Sequence, residues 1–237
     1  MQKENFLGVD VSNLSYSEIL LSLKERMDQN LKSTIIAVNP EKIITANNDP
    51  QLMNLINNST YQIPDGVGIL LASKLVNGNV NSRVTGVDMM EHLLRFSAEN
   101  GYRVFLYGAK EEVVSEAKRK IELNYPTISI VGYANGYVKD NDALVNQINE
   151  AQADILFVAM GSPKQELWIR DHMNQLNAKV YQGVGGSFDV FSGYVKRAPA
   201  VFRKFGLEWL YRLLSQPSRL KRQLALPKFL IKVLLKR

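Results

Sequence analysis

The sequence contains no cysteine and only two histidines, and these absences limit the chemistry available to the chain. Without cysteine there is no disulfide and no thiolate metal site, which is typical of a cytosolic protein. His92 and His172 are far apart in the sequence and lie in helical patterns, so they form no cluster of metal ligands. We therefore expect a protein that works without a metal and without a cofactor.

Long apolar runs are missing as well. No uninterrupted apolar stretch approaches the roughly 18–20 residues that cross a bilayer. Residues 1–5 do not begin an apolar signal segment. The sequence therefore predicts a cytoplasmic protein that neither spans a membrane nor carries an export signal, although it could lie on a membrane surface.

Acidic residues are almost absent from residues 195–237, which we call the basic tail. The basic tail carries twelve Lys or Arg and one acid, Glu208, so its net charge is +11; with +6 for the whole chain, the first 194 residues carry −5. Leu, Phe and Trp recur among the basic residues at spacings of mostly three or four, which indicates amphipathic helices. Such helices suit a surface that is both negatively charged and apolar, namely the anionic inner face of a cell membrane.

Two other interpretations of the basic tail remain open. Its helices could pack their apolar faces on the rest of the protein and leave the basic face in solvent. A nucleic-acid-binding module would also be basic, but such tails usually carry exposed aromatics or Gly- and Ser-rich basic runs. This tail carries Leu, Ile and Phe at helical spacing instead, so we expect no nucleic-acid partner.

Short β-rich runs alternate with amphipathic helical patterns in residues 1–194. The candidate strands are Thr34–Asn39, Tyr61–Ile63, Arg103–Tyr107, Ser129–Tyr133, Asp154–Met160 and Lys179–Gly183. Several of them are almost continuously apolar, as parallel strands covered on both faces are. This alternation predicts an α/β fold with a Rossmann-like, mostly parallel sheet and flanking helices. We expect an α/β catalytic domain over residues 1–194 and a basic, amphipathic helical appendage over residues 195–237.

Polar residues that follow the predicted strands are the candidate site residues, because such sheets bind ligands beyond the carboxyl ends of their strands. Asp65 precedes a helical pattern and could be a general base or the N-cap of that helix. Asn39 precedes Pro40 and could bind a sugar hydroxyl or simply close a turn. Arg83 could bind a phosphate or a carboxylate, or be an ordinary solvated loop residue.

Two further stretches follow predicted strands. Ser162 is predicted as the N-cap of a helix and Pro163 as its first residue, so Gln165 is a ligand contact, the capping-box partner of Ser162, or both. The glycine-rich stretch 183–186 lets backbone approach a ligand closely. It is neither a Walker loop nor a dinucleotide-binding fingerprint, so the chemistry of its ligand stays open.

Asp140-Asn141-Asp142 resembles the D-x-D motif of many metal-dependent enzymes. It precedes a helical pattern, and a turn in which Asp140 is the N-cap is the better interpretation. The sequence therefore supports no structural or catalytic metal at this position.

Taken together, these motifs resemble those of the WecG/TagA/CpsF glycosyltransferases of bacterial cell-envelope polymers. The resemblance runs from about Val9 to Leu230, and Gln216 departs from it where an acid is expected before Pro217. The matching stretches are Asn39-Pro40, Pro64-Asp65-Gly66, Arg83-x-x-Gly86-x-Asp88, Phe105-Leu106-Tyr107-Gly108, Gly161-x-Pro163-Lys164-Gln165-Glu166-x-Trp168, Gly185-x-x-Phe188-Asp189-x-x-x-Gly193-x-x-x-Arg197-Ala198-Pro199, Gly206-Leu207-Glu208-Trp209-x-x-Arg212-Leu213 and Pro217-x-Arg219. The nearest subgroup resembles the TagA/TarA type of wall teichoic acid synthesis.

The resemblance implies that N-acetylmannosamine moves from UDP to the 4-hydroxyl of N-acetylglucosamine held on undecaprenyl diphosphate, with inversion at the anomeric carbon. It implies Asp65 as the base, with Asn39, Arg83 and Gln165 shaping the sugar pocket. It places uridine and ribose against Gly185, Gly186, Asp189 and Tyr137. Arginines of the basic tail would offset the charge of the diphosphate in place of a metal, and the candidates are Arg212, Arg219 and Arg222.

Two points stay open within this resemblance. A close relative would transfer another sugar from UDP, such as N-acetylmannosaminuronic acid or glucose. The apolar faces of the basic tail could also be covered by a second copy of the chain, so a homo-oligomer is one expectation.

Overall fold

The structure is a computed structural model that describes residues 2–199, 201–202, 206–215 and 224–235. Strands and helices alternate along most of this part of the chain, as the sequence predicts. The strands are β1 (Lys3–Phe6), β2 (Val9–Ser12), β3 (Ser33–Val38), β4 (Tyr61–Pro64), β5 (Arg103–Gly108), β6 (Ser129–Ala134), β7 (Ile155–Ala159) and β8 (Val180–Gly183). The helices are α1 (Tyr16–Asp28), α2 (Pro40–Ala46), α3 (Pro50–Asn57), α4 (Val67–Leu75), α5 (Gly86–Asn100), α6 (Glu111–Asn124), α7 (Asn141–Glu150), α8 (Lys164–His172), α9 (Ser187–Phe191), α10 (Glu208–Ser215) and α11 (Ala225–Leu235).

A six-stranded parallel sheet runs in the order β4-β3-β8-β7-β5-β6. Parallel ladders join β3 to β8, β8 to β7, β7 to β5 and β5 to β6. All five residues of β7 are buried, because helices cover a parallel sheet on both faces. The predicted α/β fold is confirmed, and each of the six predicted strands is present to within one residue at either end.

A small antiparallel hairpin of β1 and β2 precedes the sheet, with Lys3 opposite Ser12 and Phe6 opposite Val9. Leu7 and Gly8 form its turn and both have positive φ, 54° and 91°. Positive φ at both central residues is what a two-residue turn of type I′ requires. The sequence analysis did not predict this hairpin, because Leu-Gly is not one of the usual type I′ pairs.

The chain is divided into two compact units. The first unit comprises residues 1–15, 37–85 and 197–237, and the second comprises residues 16–36 and 86–196. A unit boundary therefore falls at Arg197, and the described residues that follow it share the first unit with the N-terminal hairpin. The core of the second unit packs β5, β7 and β8 against α7 and α8, around buried residues such as Phe105, Leu156 and Tyr181.

The last described helix, α11, packs against α2 and α4 within the first unit. Phe229 and Val233 are buried, and the Phe229 ring lies 6.1 Å from the ring of Phe6. Ile231 and Leu235 lie away from this contact and are 57% and 79% exposed. One apolar face of the basic tail therefore packs on the protein, and a second apolar face is open to its surroundings.

In the part of the chain that the structure describes, no helix is both long enough and apolar enough to cross a bilayer.

Candidate active site

Asn39 lies directly after β3 and is the N-cap of α2. Its Oδ1 accepts a hydrogen bond of 2.8 Å from the backbone N–H of Lys42, and Pro40 takes the first helical position. Because Pro has no N–H to satisfy and a fixed φ, this is a favourable helix start. The turn interpretation of Asn39 is thus confirmed. Capping uses one lone pair of Oδ1, so a ligand contact by Asn39 would use its Nδ2 amide or the second lone pair of Oδ1.

Asp65 lies directly after β4, beside the end of β3. Its backbone N–H donates a hydrogen bond of 2.8 Å to the carbonyl oxygen of Val38, one residue before Asn39. The N-cap of α4 is Gly66, with φ 91°, so Asp65 lies outside the helix and the N-cap interpretation is wrong. A Cβ on Gly66 would meet no atom within 4 Å, so glycine is favoured here for its positive φ and not for lack of space. The left-handed turn at Gly66 thus takes the capping position that Asp65 was expected to fill.

Arg83 lies near the carboxyl end of β4, in the same unit as Asp65. The N–H of Val84 donates to the carbonyl oxygen of Pro64 at 3.1 Å. Arg83 precedes Val84 and Asp65 follows Pro64, so this hydrogen bond keeps the two residues close together along the backbone. The Arg83 side chain is only 19% exposed, and its Nη2 lies 3.1 Å from Oε2 of Glu208. The interpretation of Arg83 as a solvated loop residue is therefore wrong.

Glu208 is the first residue of α10 and belongs to the basic tail. Its side chain is 12% exposed and pairs with Arg83. Gly206, two residues earlier, has φ 70°, and a Cβ there would lie 3.4 Å from Val67 and 3.8 Å from Nη1 of Arg83. The turn from Gly206 to Glu208 thus lies against the start of α4 and against Arg83. In the sequence Glu208 is the one acid of the basic tail and part of a matching stretch, and no role was predicted for it, although a single acid among twelve basic residues was a signal of a specific partner.

Gln165 belongs to the second unit and does not take part in a capping box. The N-cap of α8 is Pro163 and no side chain caps it, so the predicted N-cap role of Ser162 is wrong. Oε1 of Gln165 accepts a hydrogen bond of 3.0 Å from the N–H of Gly185, and Nε2 donates to Oε1 of Glu166 at 3.1 Å. The side chain is 3% exposed. Gln165 is therefore a buried side chain that holds the backbone of the glycine-rich stretch at Gly185.

Gly185 and Gly186 form the exposed turn between β8 and α9. Gly185 has φ 51°, and a Cβ there would meet no atom within 4 Å. Gly186 is the N-cap of α9 and is exposed, and Oδ2 of Asp189 would lie 3.5 Å from a Cβ placed on it. The second unit thus brings together a bare backbone turn and a carboxylate, which suits the close approach of a polar ligand.

Tyr137 follows β6, and hydrogen bonds join its loop to the ends of β5 and β7. The N–H of Gly136 donates to the carbonyl oxygen of Ala109, and the N–H of Ala109 donates to that of Ala159, both at 2.8 Å. Asn135 accepts the N–H of Tyr137 at 2.9 Å and fixes the turn. The Tyr137 side chain is 70% exposed and offers a ring face on which a base could stack.

Asp140 is the N-cap of α7, and its Oδ1 accepts the N–H of Ala143 at 2.9 Å. The turn interpretation of the D-x-D stretch is confirmed. In the described ranges, no three His, Cys, Asp or Glu side chains are grouped as metal ligands would be. The predicted diphosphate ligands Arg219 and Arg222 lie outside the described residues, as does the side chain of Arg212.

Each unit thus carries polar groups at the carboxyl ends of parallel strands, and the second also carries a bare glycine turn; both features are typical of α/β ligand-binding enzymes. The chain matches the family model described as the glycosyl transferase WecG/TagA/CpsF family over residues 4–237. It therefore belongs to this family and is a glycosyltransferase, which confirms the resemblance found in the sequence.

Two curated relatives carry the name N-acetylglucosaminyldiphosphoundecaprenol N-acetyl-beta-D-mannosaminyltransferase. The protein from Bacillus subtilis (strain 168) is 39% identical over 235 residues, which cover 99% of this chain and 92% of the relative. The protein from Bacillus spizizenii (strain ATCC 23059 / NRRL B-14472 / W23) is 40% identical over 208 residues, 88% of this chain and 81% of the relative.

Proposed function

We propose that this glycosyltransferase moves N-acetylmannosamine from UDP to the 4-hydroxyl of N-acetylglucosamine on undecaprenyl diphosphate. The product would be β1-4 linked, and the reaction would be the first committed step of the linkage unit of wall teichoic acid. The observation that carries this proposal is the 39% identity over 99% of the chain to a relative named for that transfer.

Asp65 is the proposed general base. It takes the proton of the acceptor 4-hydroxyl as the new bond forms from that oxygen to the anomeric carbon, on the face opposite the departing UDP. The bond from the anomeric carbon to the diphosphate oxygen breaks in the same step, and its electron pair leaves with UDP. UDP is a good leaving group and needs no proton, so a single carboxylate suffices where inverting hydrolases use two.

Of the other candidate residues, some are proposed to contact the substrate and one is proposed to support the backbone of the pocket. Backbone hydrogen bonds at Val38 and Pro64 keep the chain at Asn39 and at Arg83 next to that at Asp65. This supports the proposal that Asn39 and Arg83 contact the donor sugar or its diphosphate. Gln165 shapes the pocket indirectly, because its amide oxygen is engaged by Gly185. Guanidinium groups bind phosphate oxygens in pairs and keep their charge, which suits metal-free stabilisation of UDP.

The proposed uridine and ribose site is the turn at Gly185 and Gly186 with Asp189 and Tyr137. Its support is chemical: the glycine turn has no side chains, the carboxylate of Asp189 can accept hydrogen bonds from ribose hydroxyls, and Tyr137 is exposed. Arg212, Arg219 and Arg222 remain the proposed partners of the diphosphate, offsetting its charge where other transferases use a metal.

The basic tail is the proposed contact with the anionic inner face of the membrane, where the acceptor lipid resides. Along α11 the exposed face presents Lys228, Ile231 and Leu235, spaced three or four residues apart, and Leu224 is exposed just before the helix begins. Apolar groups can enter the headgroup boundary while Lys228 meets the lipid phosphates. The protein would thus be peripheral to the membrane.

Product analysis tests the proposal most directly. Wild-type enzyme is incubated with a short-chain lipid-diphosphate acceptor and, in turn, UDP-N-acetylmannosamine, UDP-N-acetylmannosaminuronic acid and UDP-glucose, with and without EDTA. We expect product from UDP-N-acetylmannosamine at an undiminished rate in EDTA. Preference for another donor would contradict the proposed sugar, and loss of activity in EDTA would contradict the metal-free mechanism.

Asp65→Asn tests the base in the same assay. We expect the rate to fall roughly 10²- to 10⁴-fold, the usual contribution of a positioned base, with an unchanged circular dichroism spectrum. An Asp65→Asn enzyme that turns over within a few-fold of wild type would remove Asp65 from this role.

A further inference from the structure

The basic tail contributes its single acid to the site of the first unit. Glu208 is the only Asp or Glu among residues 195–237, and its carboxylate pairs with Arg83, 125 positions away in sequence. Both side chains are largely buried, at 12% and 19% exposure. Burial weakens solvent screening, so this pair holds its geometry better than an exposed surface pair does.

The backbone near Glu208 is also fitted to this contact. Gly206 packs against Val67, the residue that follows the Asp65-Gly66 turn, and against the guanidinium of Arg83. A carboxylate in the first turn of α10 is further stabilised by the helix dipole. Two independent contacts, the Gly206 packing and the ion pair, therefore place Glu208 beside the residues that flank Asp65.

The hydrogen bond from Arg83 to Glu208 has a directional effect on Arg83. The guanidinium is planar and carries five N–H donors in a fixed arrangement, so fixing one of them orients the whole group. Within the described residues, the contact with Glu208 uses Nη2. The other N–H donors of the guanidinium lie in the same plane, so this bond also fixes the directions in which they point.

We infer that Glu208 is a positioning residue for sugar transfer: its carboxylate orients Arg83 so that the remaining guanidinium donors meet the charge that develops on the substrate beside Asp65. This inference rests on the proposed function, since it assigns to Arg83 a substrate that the function supplies. It makes the basic tail part of the reaction machinery through one acid, in addition to any contact with lipid.

A double-mutant cycle tests the inference with full-length wild type, Arg83→Ala, Glu208→Ala and the double variant. We expect Glu208→Ala to lower kcat/KM roughly 10- to 100-fold, mainly in kcat. A misoriented guanidinium still attracts a bound substrate but no longer matches the transition state. Adding Glu208→Ala to Arg83→Ala should then cost less than about threefold, because Glu208 acts through Arg83. Independent, multiplying effects would overturn the inference, as would a Glu208→Ala enzyme as active as wild type or more active.

A charge-exchanged variant, Arg83→Glu with Glu208→Arg, separates positioning from simple docking of the tail. It restores the ion pair, so the melting temperature and the resistance of the tail to limited proteolysis should recover relative to Glu208→Ala. Activity should stay as low as in Arg83→Ala, and recovered activity would show that the pair is only structural. If the exchanged variant does not fold, the cycle above still decides.

Arg103→Ala is the matched control. Arg103 also forms an ion pair, 3.0 Å from Asp154, at the amino ends of β5 and β7. Its loss should lower stability and leave kcat/KM within about twofold of wild type. Failure of the proposed function can be told apart from failure of this inference, because wild type itself would then give no product from UDP-N-acetylmannosamine. In that case the double-mutant cycle would be run with the UDP-sugar that wild type does use.

Discussion

Oε1 of Gln165 accepts the backbone N–H of Gly185, so a buried side chain on α8 fixes the turn that follows β8. Both ends of the turn are held by other hydrogen bonds, because the N–H of Val184 donates to Val158 and the N–H and hydroxyl of Ser187 donate to Val184. The amide of Gln165 is also close-packed, since a Cβ on Gly183 would lie 2.5 Å from its Nε2. Gln165 is therefore the side chain that fixes the N–H of Gly185 between these two ends.

Gln165→Met should weaken the binding of UDP about tenfold. Methionine keeps the volume but cannot accept the N–H of Gly185, and an unsatisfied buried donor costs about 1–3 kcal/mol. Titration calorimetry with UDP measures the change. The control is Gln62→Met, which removes another fully buried amide that bonds to backbone carbonyls, at Ile56 and Ser59. That control should lose stability and keep its UDP affinity; equal affinity of both variants and wild type would show that Gln165 does not support the nucleotide site.

Gly66→Ala should reduce kcat at least tenfold through backbone conformation alone. Gly66 has φ 91° and ψ 156°, a conformation almost exclusive to glycine, and a Cβ there would meet no atom within 4 Å, so alanine introduces backbone strain of about 1–3 kcal/mol without a clash. Relief of that strain would turn Asp65 away from its position beside β3. Gly101→Ala is matched to it, with φ 72° and an equally empty surrounding, in the loop between α5 and β5. Equal kcat values for the two alanine variants, measured as UDP release, would contradict the link to Asp65.

The strands of the central sheet were predictable because burial on both faces leaves a continuous apolar run, as in Ile155–Ala159. Helices α2 and α3 were missed, although each begins with an N-cap followed by proline, at Asn39-Pro40 and Asp49-Pro50. That pair is a start signal in the sequence itself. These two helices could therefore have been predicted.

Site contacts were less predictable, because they join residues that are distant in sequence. Ser162 and Gln165 have the spacing of a capping box, but the amide of Gln165 bonds to Gly185, twenty positions later. Similarly, no local pattern connects Arg83 with Glu208. Asp65 could be identified from its place after a strand, yet only the structure shows that Gly66, and not Asp65, is the N-cap.

Substitutions on the two faces of α11 should separate stability from membrane binding. Phe229→Ala removes a fully buried ring and should cost about 3–5 kcal/mol of unfolding free energy. Ile231→Ser with Leu235→Ser changes side chains that are 57% and 79% exposed, so stability should change by less than about 1 kcal/mol. The serine variant should sediment less with anionic liposomes than wild type. Unchanged sedimentation would show that this face of α11 does not contact lipid.

The ion pair of Arg103 and Asp154 should give a pH-dependent contribution to stability. Burial acts to raise the pKa of Asp154, but hydrogen bonds from the side chain and backbone of Arg103 outweigh it and lower the pKa. A carboxyl whose pKa is lowered on folding stabilises the protein above its unfolded pKa of about 3.9, and this contribution is lost as the pH falls through the folded pKa. Arg103→Ala should therefore be less stable than wild type by about 1 kcal/mol near pH 7, since both side chains are partly exposed. Urea unfolding at a series of pH values should show this difference constant above about pH 5 and shrinking towards pH 3. A difference that does not change with pH would mean that Arg103 stabilises the protein through packing and not through the charge of Asp154.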